Sequence, residues 1–123
     1  MTKNIKNFFK GFVNATKGIF SGFSERNMKV HGLAAAVIIP ASFYFKLNQA
    51  EWIVVLTLIG LVWAAELMNT ALEELANIVR DELKLSYEAT RRVRDCAAGA
   101  VWVLAIVAAI VGGMIFIPKF GLY

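Results

Sequence analysis

Four polar side chains near the middle of the chain, Glu66, Asn69, Glu73 and Asn77, are spaced by three, four and four residues. At 3.6 residues per turn they form one stripe along a helix. Glu74 lies about 100° round from Glu73 and points elsewhere. A carboxylate beside hydrocarbon costs about 3 kcal/mol unless it is paired, protonated or wetted. Two of them in one stripe call for positive charge: a metal ion, or Arg94, Arg92, Lys29 and Arg26. An oxygen-rich set suits a hard cation such as Mg²⁺. Asn69, between the carboxylates, has the right groups to hold a ligand phosphate or to fix a carboxylate. The competing reading is structural, because Glu and Asn in a bundle also join helices. Other chemistries find no support. Cys96 is the single cysteine and reads as a small packing residue, and there is no zinc-type cluster, Ser-His-Asp set or GxxxxGK loop.

The elements that must position the stripe are membrane elements. The 123 residues are enough for one domain, and they are 59% hydrophobic and only 18% charged. Mean hydropathy is +0.61. A soluble domain of this size carries about 25% charged residues. The net charge of +4 is unevenly placed: residues 1–31 hold Lys3, Lys6, Lys10, Lys17, Arg26 and Lys29 against Glu25 alone. That distribution suits an anionic membrane surface. A nucleic-acid arm would share the charge, but five interleaved phenylalanines favour lipid, and no nucleic-acid partner is expected. On a helical wheel, Ile5, Phe8, Phe9, Phe12, Ile19, Phe20 and Phe23 oppose Lys3, Lys6, Lys10, Asn14 and Lys17. This segregation predicts an interfacial helix over 1–27. The N-terminus does not read as a signal peptide.

Three spans are expected to follow. The first, 30–45, is short and contains Pro40. The second runs over 52–80, apolar all round at first and then amphipathic, so its end extends into the cytoplasm. The third, 96–117, is the cleanest and ends at Pro118 and Lys119. Lys and Arg crowd the N-terminal segment and the connector to Arg94, while the 46–51 turn holds one lysine. The positive-inside rule therefore places the N-terminus and the long connector in the cytoplasm. His31, where the first span begins, reads as an interfacial hydrogen-bonding residue.

At "ELMNTALEELAN", Glu66 to Asn77, the chain resembles the small prokaryotic integral-membrane diacylglycerol kinase family, which includes undecaprenol kinases. The family signature runs Glu-x-apolar-Asn-Ser/Thr-Ala-apolar-Glu-x-x-Val-Asp. "ERNMKVH" (Glu25 to His31), "RDCAAGAV" (Arg94 to Val101) and "IFIPKF" extend the resemblance in order. It implies an all-α membrane protein with a surface helix and three transmembrane helices, assembled as a homotrimer in the bacterial inner membrane. It also implies ATP-dependent, Mg²⁺-assisted phosphorylation of a lipid hydroxyl, on diacylglycerol or undecaprenol. "ERNMKVH" looks closer to the Gram-positive branch and tilts the expectation toward the polyprenol.

By resemblance, Glu66 matches the catalytic base, and Asn69 a conserved active-site asparagine. Asp95 matches the acidic residue that opens the third span. Glu25 and Glu73 match the metal-holding carboxylates. Arg94 stands where the family has Lys and is assigned to the nucleotide; apart from the resemblance, Arg26 and Lys29 can meet ATP phosphates or only anionic lipid. Asn77 stands where the family has Asp and removes one negative charge from the stripe. If Asn77 faces the metal, Asn77→Asp should preserve or raise ATP affinity. The alternative function is a catalytically inactive trimeric membrane protein that uses the stripe for assembly.

Overall fold

The computed structural model describes residues 2–121. Met1, Leu122 and Tyr123, part of the expected 1–123 domain, lie outside the described residues. The described chain is helical throughout: α1 (Lys3–Gly22), α2 (Arg26–Tyr44), α3 (Gln49–Glu82), α4 (Tyr87–Phe116) and a short 3₁₀ turn, Ile117–Phe120.

Helix α1 leaves Phe8, Phe9, Phe12, Ile19 and Phe20 exposed, so its apolar face has no protein cover within this chain. Only its end docks. Gly22 is buried where an added Cβ would collide with the Leu67 side chain of α3. Phe23 then packs edge-on against Trp63, with ring centroids 5.0 Å apart.

Helices α3 and α4 are long and apolar enough to cross a membrane. Helix α2 has 19 residues, about 30 Å at 1.5 Å per residue, but Arg26, Asn27, Lys29 and His31 occupy its first two turns. Its apolar portion is therefore shorter than the other two. Pro40 sits inside the helix without ending it.

The two connectors use the same local chemistry. Lys46 (φ 50°) and Lys84 (φ 52°) adopt the left-handed conformation. In each case the following leucine N–H closes back on the helix: Leu47 to Ser42 O at 3.0 Å, and Leu85 to Arg80 O at 2.8 Å. This is the helix-ending bond pattern normally built on glycine. Asn48 then caps α3 through a reciprocal bond set with Glu51, and Ser86 precedes α4. The polar connector expected over 81–95 is thus mostly helix, with α4 starting at Tyr87 rather than near Cys96. Glu88–Arg91 (3.3 Å) and Arg91–Asp95 (3.4 Å) pair along its exposed face, which is how so polar a stretch stays helical.

Two polar contacts fix α3 and α4 as an antiparallel pair in one register. Arg94 meets Asn77 at one end and Lys119 Nζ meets Glu51 Oε1, 3.0 Å, at the other. Glu51 lies just ahead of the apolar run that starts at Trp52. Its carboxyl is held below the ordinary value of 4.5, first by the Asn48 backbone N–H and then by Lys119. A lowered folded pKa stabilises the closed end above pH 4.5, and that contribution disappears as the pH falls through the lowered value. The protection factors of amides over 117–120, corrected for the pH dependence of intrinsic exchange, should therefore fall on acidification below about pH 4.5. Lys119→Met should weaken this pH response, and identical pH profiles in the two proteins would discount the pair.

Candidate active site

The stripe on α3 is sorted by burial. Glu66 and Asn69 are 2% and 4% exposed, while Glu73 is exposed and Asn77 half-buried. Fourteen residues separate Trp52 from Glu66, about 21 Å along the axis. The hydrocarbon core of a bilayer is about 30 Å thick. Glu66 is thus within one bilayer-core thickness of the start of the apolar run, and Glu73 and Asn77 lie successively farther along the helix.

Helix α2 brings His31 to Glu66, with Nε2 3.9 Å from Oε2. His31 also lines a cavity of about 450 Å³ between α2, α3 and α4. The other lining residues are apolar, among them Ala35, Val62, Trp63, Ala108 and Phe116. The sequence places His31 at the start of α2 as an interfacial residue; the fold gives it a carboxylate partner that spacing within α2 does not reveal.

Asn69 donates from Nδ2 to Glu73 Oε1 at 3.3 Å. Its Oδ1 is buried with no hydrogen-bond partner. An acceptor left in that condition costs about 1–3 kcal/mol, which a ligand donor would recover. Of the two roles open to Asn69 from sequence, fixing a carboxylate is the one observed.

Arg94 reaches from the N-terminal part of α4 across to α3. Its Nη2 donates to Asn77 Oδ1 at 2.9 Å and to Thr90 Oγ1 at 3.4 Å, and its Nε donates to Thr90 Oγ1 at 3.3 Å. The guanidinium lies 5.0 Å from the centroid of the Tyr87 ring. Tyr87, Thr90 and Arg94 are spaced by three and four, so the sequence does carry the signal that they share a face.

The remaining expected site residues are not gathered into this cluster within one chain. Glu25 caps α2 in an exposed position with no side-chain capping bond. Arg26 and Lys29 are exposed. Asp95 is exposed and pairs with Arg91 on its own helix, about 100° round from Arg94. Among the described residues, no three His, Cys, Asp or Glu side chains converge on one point. Mg²⁺ does not require such a cage, because it is commonly held by one or two carboxylates together with substrate phosphates. Glu73 fits that use: Asn69 fixes one oxygen, and the exposed carboxylate leaves the other accessible.

Residues 13–116 match the prokaryotic diacylglycerol kinase family. The chain is 36% identical over 116 residues to an undecaprenol kinase of Bacillus subtilis, covering 94% of this chain and 92% of that protein. It is 36% identical to a diacylglycerol kinase of Synechocystis, covering 91% of this chain and 63% of that protein. It is 29% identical to a diacylglycerol kinase of Haemophilus influenzae, covering 85% and 91%. No solved structure matches the chain at comparable significance. Two membrane-length helices, a buried polar stripe and matches along nearly the whole sequence agree: the chain belongs to the prokaryotic diacylglycerol kinase family.

Proposed function

We propose that this protein transfers the γ-phosphoryl group of Mg-ATP to the hydroxyl of undecaprenol in the inner leaflet. The observation that carries this reading is the buried Glu66, 3.9 Å from His31, the polar residue that lines an otherwise apolar cavity. A lipid hydroxyl that reaches past His31 would give its one proton to the Glu66 carboxylate, and the unpartnered Asn69 Oδ1 is left for a different donor. Phosphoryl transfer demands positioning and charge neutralisation more than covalent chemistry by the protein.

The nucleotide approaches from the cytoplasm, toward the wetter end of the stripe. Glu73 and Glu25 are the carboxylates that would hold Mg²⁺, which when bound offsets the negative charge of the phosphates. Arg94 takes a phosphate, and Arg26 and Lys29 add cationic character at the start of α2. The exposed positions of Glu25 and Asp95 fit a site completed in a homotrimer of three-span subunits, with α1 lying on the anionic inner surface. The match to the B. subtilis undecaprenol kinase over nearly both full lengths supports the polyprenol as acceptor.

A panel of lipids tests this directly. Protein in bilayer discs receives Mg-[γ-³²P]ATP with undecaprenol or with diacylglycerol. Label transferred preferentially to undecaprenol is the expected result. Preferential transfer to diacylglycerol would reassign the acceptor, and no transfer to either would end the kinase reading.

A further inference from the structure

In the bracket around Arg94, among the described residues, no carboxylate hydrogen-bonds the guanidinium, and Asp81, which lies within its electrostatic reach, is paired with Arg80 at 2.8 Å. The hydrogen-bond partners of Arg94 are the amide oxygen of Asn77 and the hydroxyl of Thr90, and its stacking partner is the Tyr87 ring. Thr90 is 6% exposed and is itself oriented by donating to Tyr87 O at 3.3 Å. Among the described residues, no hydrogen bond occupies Arg94 Nη1, so the two N–H groups of that nitrogen remain unused. A guanidinium held by neutral oxygens keeps its full charge, whereas one held by a carboxylate has most of it cancelled at short range. The nearby acid Asp95 is engaged by Arg91 instead.

We propose that Asn77, Thr90 and Tyr87 are positioning residues that fix Arg94 through neutral partners, so that its free Nη1 receives a nucleotide phosphate. The proposal rests on the reading of Arg94 as a phosphate ligand and adds the reason for Asn at position 77. An arginine loses side-chain freedom when it binds an anion, and prior immobilisation removes much of that cost. The free Nη1 can donate a charge-assisted hydrogen bond to a phosphate oxygen. This placement also reverses the expectation drawn from the sequence. Asn77 meets a cation, so a carboxylate at that position would compete with the nucleotide for Arg94.

The test is equilibrium binding of ATP to the full chain in bilayer discs, by calorimetry with and without Mg²⁺, alongside lipid phosphorylation. Asn77→Asp should weaken ATP binding about tenfold, and the KM for ATP should rise by more than kcat falls. Thr90→Val, which removes the hydroxyl and keeps the shape, should weaken binding severalfold. Tyr87→Phe should retain affinity, whereas Tyr87→Leu should lose it, a pattern that a general packing role at this exposed position does not produce. Unchanged or tighter ATP binding in Asn77→Asp overturns the bracket. If Asn77→Asp does not assemble, equal affinities in Tyr87→Phe and Tyr87→Leu together with a neutral Thr90→Val overturn it. A wild type that binds ATP but phosphorylates no lipid removes the kinase reading and leaves the bracket to stand or fall on these affinities. A wild type that does not bind ATP removes both.

Discussion

Glu66→Gln is expected to reduce phosphoryl transfer by about 10²–10⁴-fold, the range associated with loss of a positioned general base. The change keeps the size of the side chain and its capacity to meet His31, but removes the group that accepts a proton. Because Glu66 is 2% exposed, a shorter replacement would also open a cavity, and lost packing would be confused with lost chemistry. The glutamine variant avoids this. It should assemble normally, since a neutral amide is cheaper to bury than a carboxylate. ATP affinity, measured separately, should be nearly unchanged, because the proposed nucleotide contacts do not include Glu66. The loss should therefore fall on kcat. Wild-type turnover in this variant would remove Glu66 from the proton transfer.

Glu73→Gln should have the second largest effect and a different signature. Glu73 is seven residues beyond Glu66, about 10 Å along the helix, and is exposed where Glu66 is buried. Asn69 fixes one of its oxygens, so the carboxylate is presented in a defined orientation. A neutral amide is a poorer ligand for a hard cation. Activity at low free Mg²⁺ should fall about 100-fold, an order-of-magnitude figure based on weakening of a charge-assisted ligand. Excess Mg²⁺ should recover much of it. The same titration should recover nothing in Glu66→Gln. Identical Mg²⁺ midpoints in wild type and Glu73→Gln would exclude Glu73 as a metal ligand.

The helices were legible wherever a single element carried its own signal. The fourfold stripe on α3, the segregated faces of α1 and the apolar run within α4 are periodicities internal to one segment. The start of α4 was not legible in the same way. Apolar content marks where a span enters hydrocarbon, but Ser86 and the Glu88–Arg91–Asp95 ladder carry the helix about nine residues into water. The two lysines that close α2 and α3 were equally silent. Left-handed backbone is usually announced by glycine or asparagine, and here the closing bonds of Leu47 and Leu85 impose it instead.

Sequence by itself determined the helical class, the membrane character, the family and the order in which polar groups appear along α3. These follow from residue type and spacing on one chain segment. Only the tertiary structure decided which groups meet across segments. It placed His31 on Glu66 and Arg94 on Asn77, and left Asp95 on an outer face with Arg91. The physical reason is register. A shift of one residue between packed helices rotates a side chain by about 100°, and no local periodicity records that alignment.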